Sequence, residues 1–121
     1  MAFQHKNLTA EKWESLSFFE QMANIGADVG RAINWRKENS QESKLAFYRA
    51  LELLWLTINW SQKYDQPKLK ELIRLYEILG DYFAGQNRYK TNDKFLNDYF
   101  YAYGYAHSLE RYQLKSYTPG V

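Results

Sequence analysis

The chain has no cysteine, which removes disulfide frameworks, thiolate metal sites and cysteine nucleophiles together. Proline is nearly as scarce. Only Pro67 and Pro119 occur, and neither interrupts a periodic segment. Alternating strand-type runs, internal repeats and low-complexity tracts are missing as well. The most apolar stretch, Leu51 to Ile58, is broken by Glu52 and Thr57 and falls far short of the ~20 residues a bilayer-spanning helix needs. The opening run Met1-Ala2-Phe3-Gln4-His5-Lys6 lacks the apolar core of a secretory signal. These absences lead to the expectation of a cytoplasmic protein with no membrane partner.

An excess of charge is lacking too. Sixteen basic residues face 14 acidic ones, for a net charge of +2, whereas a dedicated nucleic-acid binder is often more basic. The distribution is less even. Residues 1–30 hold Lys6 and Lys12 against Glu11, Glu14, Glu20 and Asp28, while residues 31–49 hold Arg31, Arg36, Lys37, Lys44 and Arg49 against Glu38 and Glu42. One turn region is therefore locally basic.

What the chain does have is rings: 11 Tyr, 7 Phe and 4 Trp in 121 residues. The densest cluster runs from Phe95 to Tyr105 and is aromatic on nearly every side of a helix. Such a segment cannot expose all its rings at low cost, so neighbouring helices or a second molecule must cover some of them.

Periodicity predicts four helices and an all-α fold, an antiparallel up-down four-helix bundle of one domain. The domain covers residues 9–115, between a flexible N-terminus (1–8) and a flexible tail (116–121). The first helix is expected from about Thr9, its N-cap, to Lys37, with the stripe Trp13, Leu16, Phe19, Met22, Gly26, Val29 and Ile33. Gly26 and Gly30 there either permit close helix–helix approach or mark a kink near Gly30. Asn39-Ser40-Gln41-Glu42 reads as a capping box opening a second helix to about Tyr64. Its face takes Leu45, Tyr48, Leu51, Leu54 or Trp55, and Ile58. Because the helix is apolar over more than half its circumference, either a central place or burial of a second side by a partner is expected for it. Pro67 opens a third helix, striped by Leu69, Leu72, Leu75 or Tyr76, Leu79 and Phe83, and ending near Gly85. A polar loop, Gly85 to Asn92, leads to a fourth helix capped by Thr91 or Asn92.

No catalytic site, metal site or cofactor is expected. The chain has no Gly-rich phosphate loop, nucleophile elbow or Zn-binding helical histidine pair, and none of the Glu-x-x-His pairs of di-iron bundles. HEPN-type helical ribonucleases carry an arginine a few residues before a histidine; here Arg111 follows His107. His107 therefore reads as structural, with a divergent HEPN-like ribonuclease as the third functional alternative. Asp28 and Arg31 read as a modest surface pair.

Two binding surfaces are expected. Trp35 among Arg31, Arg36 and Lys37, Lys44 nearby, and Tyr48 beside Arg49 interleave cations with rings, as phosphate contact with base stacking requires. Arg88, Lys90 and Lys94 around the long loop would join them at the same end of an antiparallel bundle. The alternative is an ordinary solvated rim, since cations near a helix C-terminus are favoured by its dipole alone. The second surface is an interface of Tyr101, Tyr105 and Tyr112 with Trp55 and Trp60, most simply for self-assembly.

Asn24-Ile25-Gly26-Ala27-Asp28-Val29-Gly30-Arg31, a polar turn, and then Phe47-Tyr48-Arg49-Ala50-Leu51-Glu52-Leu53-Leu54 resemble a family of small four-helix bundles. It comprises the ribosomal-RNA intervening-sequence proteins and the Avd accessory proteins of diversity-generating retroelements. The likeness covers about residues 25–85. The family's Glu-Gly pair stands here as Asp28-Val29, and its usual Gly-Ser in the second helix is absent. The resemblance implies a non-enzymatic pentameric barrel whose basic surface engages RNA or DNA and a reverse transcriptase. The leading expectation is thus a non-catalytic, self-associating accessory protein that binds nucleic acid, a nucleic-acid enzyme, or both. The alternative is a protein–protein adaptor or antitoxin-like module.

Overall fold

A computed structural model describes residues 9–116, and every regular element among them is helical. The expectations for residues 1–8 and 117–121 lie outside the described residues. Helix α1 spans Ala10–Glu14, α2 Phe18–Trp35 and α3 Ser40–Tyr64. A short 3-10 turn, Gln66–Lys68, leads into α4, Leu69–Ala84, and α5 runs Asp93–Ser116. Four of the helices are long, and no helix among the described residues is long and apolar enough to cross a membrane.

The expected first helix is in fact two. Thr9 caps α1 by accepting from the Lys12 amide at 3.1 Å, and Ser17 caps α2 by accepting from the Glu20 amide at 3.1 Å. The break between them is held by side chains. Ser15 Oγ donates to the Lys12 carbonyl at 2.6 Å, and the buried Gln21 donates its amide to the carbonyls of Trp13 and Leu16. Carbonyls at the interruption thereby gain side-chain donors. The interruption also shifts the buried face. Met22, Ile25, Val29 and Ala32 are fully buried, whereas Phe19 is 39% exposed and Phe18 takes the inner position. The helix runs unbroken through Gly30 and ends at Trp35, two residues before the expected Lys37.

Only one of the two glycines makes the expected close approach. A Cβ on Gly26 would sit 2.6 Å from Phe100 Cβ, while one on Gly30 would meet nothing within 4 Å.

The expected cap of α3 is present: Asn39 Oδ1 accepts from the Glu42 amide at 3.2 Å. Its face differs from the simple stripe. Tyr48 and Trp55 are exposed, while Ala46, Phe47, Ala50, Leu53, Leu54, Leu56 and Ile58 are buried. The reason is that α3 packs against α1, α2 and α4 together, so more than one of its sides is covered. Leu72, Leu75 and Leu79 of α4, and Leu96 and Phe100 of α5, complete the core.

Bonds between elements fix their directions. Ser43 Oγ, near the start of α3, donates to the Ala32 carbonyl near the end of α2 at 2.7 Å, and α1 is pinned to the far part of α3 by the Trp13 indole donating to Thr57 Oγ1 at 2.9 Å. Ser17 Oγ at the head of α2 donates to Glu110 near the end of α5 at 2.8 Å, and Arg36, just past α2, lies 3.9 Å from Asp93 at the head of α5. Both α3 and α5 therefore run opposite to α2. Phe47 near the start of α3 packs on Phe83 near the end of α4, ring centroids 5.3 Å apart, which sets α4 against α3.

Candidate functional site

The ends of α2 and α4 meet the start of α5 through Arg36. Its guanidinium donates to the Tyr82 carbonyl at 2.8 Å and stacks over the Tyr82 and Phe83 rings, 4.4 and 4.9 Å from their centroids. This contact brings the turn after α2 and the loop before α5 to one end of the molecule, which Arg36 and Lys37 therefore share with Arg88 and Lys90. The loop itself is ordered by Asp81, which accepts from the Arg88 and Tyr89 amides at 2.8 and 3.0 Å. Those two bonds hold the Asp81 carboxyl below its ordinary value. Asn87 and Lys90 adopt positive φ, 53° and 54°, and the Asn87 side chain bridges to both backbone groups of Thr91.

The cations at that end divide into two groups. Arg36 is engaged in packing, and Lys94 pairs with Asp98 one turn on in α5. Lys37, Lys44, Arg88 and Lys90 are exposed, and among the described residues Lys37, Lys44 and Lys90 form no ion pair. The Trp35 ring is 42% and the Tyr89 ring residue 49% exposed.

Arg31 and Arg49 face elsewhere. Both donate to one oxygen of Asp28, at 2.8 and 3.4 Å. The Asp28 side chain is only 5% exposed, so the expected modest surface pair is instead a buried carboxylate shared between two helices. The physical reason is the packing of α3 across α2, which sets Arg49 beside Asp28. Together with Trp13, Leu16, Asn24, Ala27 and Leu53 these residues line a cleft of about 550 Å³.

On α5 the rings sort by face. Tyr99, Phe100 and Tyr103 point inward: Tyr99 meets Phe100 and Tyr103 edge-on, and Tyr103 meets Phe18 at 5.6 Å. Tyr99 donates its hydroxyl to Glu71 of α4 at 2.9 Å, and burial, followed by its neighbours Tyr103 and Glu71, pushes its ionisation upward. Tyr101, Tyr105 and Tyr112 lie outside, 74%, 59% and 70% exposed, and Leu109 joins them at 46%. Spacings of four, four and three make these four residues one stripe.

The two tryptophans expected beside them stand elsewhere. Trp60, partly buried, stacks on Phe18 with centroids 5.7 Å apart, and Trp55 leans on Tyr76 of α4 at 6.2 Å.

His107 lies between two carboxylates, 3.9 Å from Glu20 and 3.8 Å from Glu110. Among the described residues no group of three or more His, Asp or Glu is placed to hold a metal ion.

Comparison of the chain with family models, curated proteins and solved structures finds no match. The functional reading therefore stands on the residues alone.

Sequence reasoning missed two features of the cleft. Asp28 carried a signal, since a carboxylate one turn after the buried Ile25 and directly before the buried Val29 falls on the margin of the core stripe. That Arg49 would meet it depends on the register between α2 and α3, which no local pattern encodes.

Proposed function

We propose that the chain is a non-catalytic accessory module, an antiparallel up-down four-helix bundle that self-associates through the outer face of α5. The observation that carries this reading is the exposed stripe Tyr101, Tyr105, Leu109 and Tyr112. At their fractional exposures these side chains present on the order of 500 Å² of ring and aliphatic surface. That lies toward the upper end of the largest patch on an ordinary monomer, ~300–600 Å². It is also more than half of the ~800 Å² each partner brings to a standard interface. Tyrosine suits such a face, because it buries a large area at small entropic cost and keeps its hydroxyl at the wet rim.

The test is the mass of the protein in solution. Tyr101→Ser combined with Tyr105→Ser alters only exposed positions, so stability is expected to change by ~0.5 kcal/mol or less per site. Sedimentation velocity should show an assembly for the native chain and a 14.5 kDa species for the double variant. A native chain that sediments as that monomer at every concentration removes the reading.

A nucleic-acid partner is the second reading. The observation favouring it is the contact of Arg36 that brings the turn after α2 and the loop before α5 to one end, where Lys37, Lys90, Trp35 and Tyr89 are all exposed. RNA or DNA affinity should fall steeply with salt and drop again in Lys37→Glu with Lys90→Glu; unchanged affinity in that variant clears both lysines. A pentameric assembly and a reverse transcriptase partner rest on the family resemblance.

A further inference from the structure

The cleft between α2 and α3 is built differently from the rest of the surface. We propose that it binds a small monocarboxylate carrying an apolar group, gripped by Arg31 and Arg49. The assignment is independent of the α5 face and of any nucleic-acid partner.

Donor capacity comes first. A guanidinium offers five N–H donors in a fixed fork. Arg31 commits one Nη1 donor to Asp28 Oδ1, and Arg49 commits its Nε. Asp28 is thus the acceptor that the two side chains share. Arg49 is nearly three-quarters buried, with its side chain 28% exposed, while Arg31 is 56% exposed at the cleft edge. Two arginines from different helices thus converge on one carboxylate oxygen while each keeps most of its donors.

Preorganisation comes second. The buried Asp28 holds both guanidinium groups in place before any ligand arrives, so little side-chain freedom remains to be lost on binding. Carboxylates are the natural complement of such forks, since two parallel N–H groups match two carboxylate oxygens.

Charge then selects the ligand. Two arginines and Asp28 leave one net positive charge in the cleft. A monocarboxylate neutralises it. A phosphate dianion would overshoot and would stand beside the Asp28 carboxylate at a repulsive distance.

The remaining lining selects the other half of the ligand. Leu16, Ala27 and Leu53 with Trp13 give an apolar wall, and the cleft's ~550 Å³ falls within the ~300–1,000 Å³ common to small-molecule sites. Asn24 donates its amide to the Glu20 carbonyl at 3.0 Å, which leaves its side-chain oxygen as an acceptor at the rim.

Titration calorimetry on the full chain at low salt separates the possibilities with three probes: 4-phenylbutyrate, its uncharged amide 4-phenylbutanamide, and inorganic phosphate. The carboxylate is expected to bind saturably, with the amide and phosphate at least about tenfold weaker. Arg31→Gln changes a side chain that is more than half exposed and should fold. It and Arg49→Gln are each expected to weaken carboxylate binding about tenfold or more. The assignment is overturned if the carboxylate fails to saturate, if the amide binds equally well, or if Arg31→Gln leaves affinity unchanged.

Discussion

Gly26→Ala introduces one methyl group where α2 approaches Phe100 of α5. The new carbon would lie 2.6 Å from Phe100 Cβ and 3.0 Å from two of its ring atoms. The nearest of these atoms is fixed to the backbone, so no rotamer change relieves the clash and the helices must part. Overpacking of this kind costs about 1–3 kcal/mol, whereas replacing a mid-helix glycine by alanine gains about 1 kcal/mol of helix propensity. The net expectation is a loss of about 0–2 kcal/mol. Gly30 is the internal control, on the same helix, one turn on, with open space where a Cβ would go. Gly30→Ala should gain about 0.5–1 kcal/mol. Urea unfolding of the two variants should then differ in midpoint by about 0.5–2 M, with Gly26→Ala the less stable. If Gly26→Ala stabilises the protein as much as Gly30→Ala does, α5 is not seated against α2 as described.

Two further predictions follow from polar contacts. Thr57→Val keeps the side-chain shape but removes the acceptor for the buried Trp13 indole N–H; chemical unfolding should show a loss of about 1–3 kcal/mol, and Thr57→Ser should retain the bond. The depressed Asp81 carboxyl, held by the Tyr89 and Arg88 amides, contributes order to the loop above the ordinary carboxylate range and loses it as pH falls through the lowered value. The amide resonances of Arg88 and Tyr89 should therefore titrate with a midpoint below 3.8, and a midpoint at or above it contradicts the contact.

Much of the helical plan was legible because its signals are local. Asn39 with Glu42, Pro67 near the start of α4, Gly85 at its end and Asn92 before α5 are short-range chemistry, and each stands where the pattern placed it. The division of rings on α5 was legible for the same reason, since spacing alone separates Tyr99 and Tyr103 from Tyr101 and Tyr105. The break at residues 15–17 was not. Periodicity runs through it, and the evidence of interruption is a pair of serines and a glutamine whose partners are known only once the chain has turned. Trp60 was misplaced because exposure on a helix with several covered sides depends on which neighbour arrives, here Phe18 from across a break the pattern did not show. The cleft was illegible for a deeper reason. Asp28 and Arg49 stand 21 residues apart, and only the packing register of two helices brings them together.

The self-association of α5 is tested most directly by tyrosine nitration read residue by residue in a mass spectrometer, over a range of protein concentration. Tyr64, 65% exposed, and Tyr89, 49% exposed, lie off the stripe and serve as references. Tyr101, Tyr105 and Tyr112 should become protected relative to them as concentration rises. Modification of the three in constant proportion to Tyr64 and Tyr89 at every concentration would contradict the account.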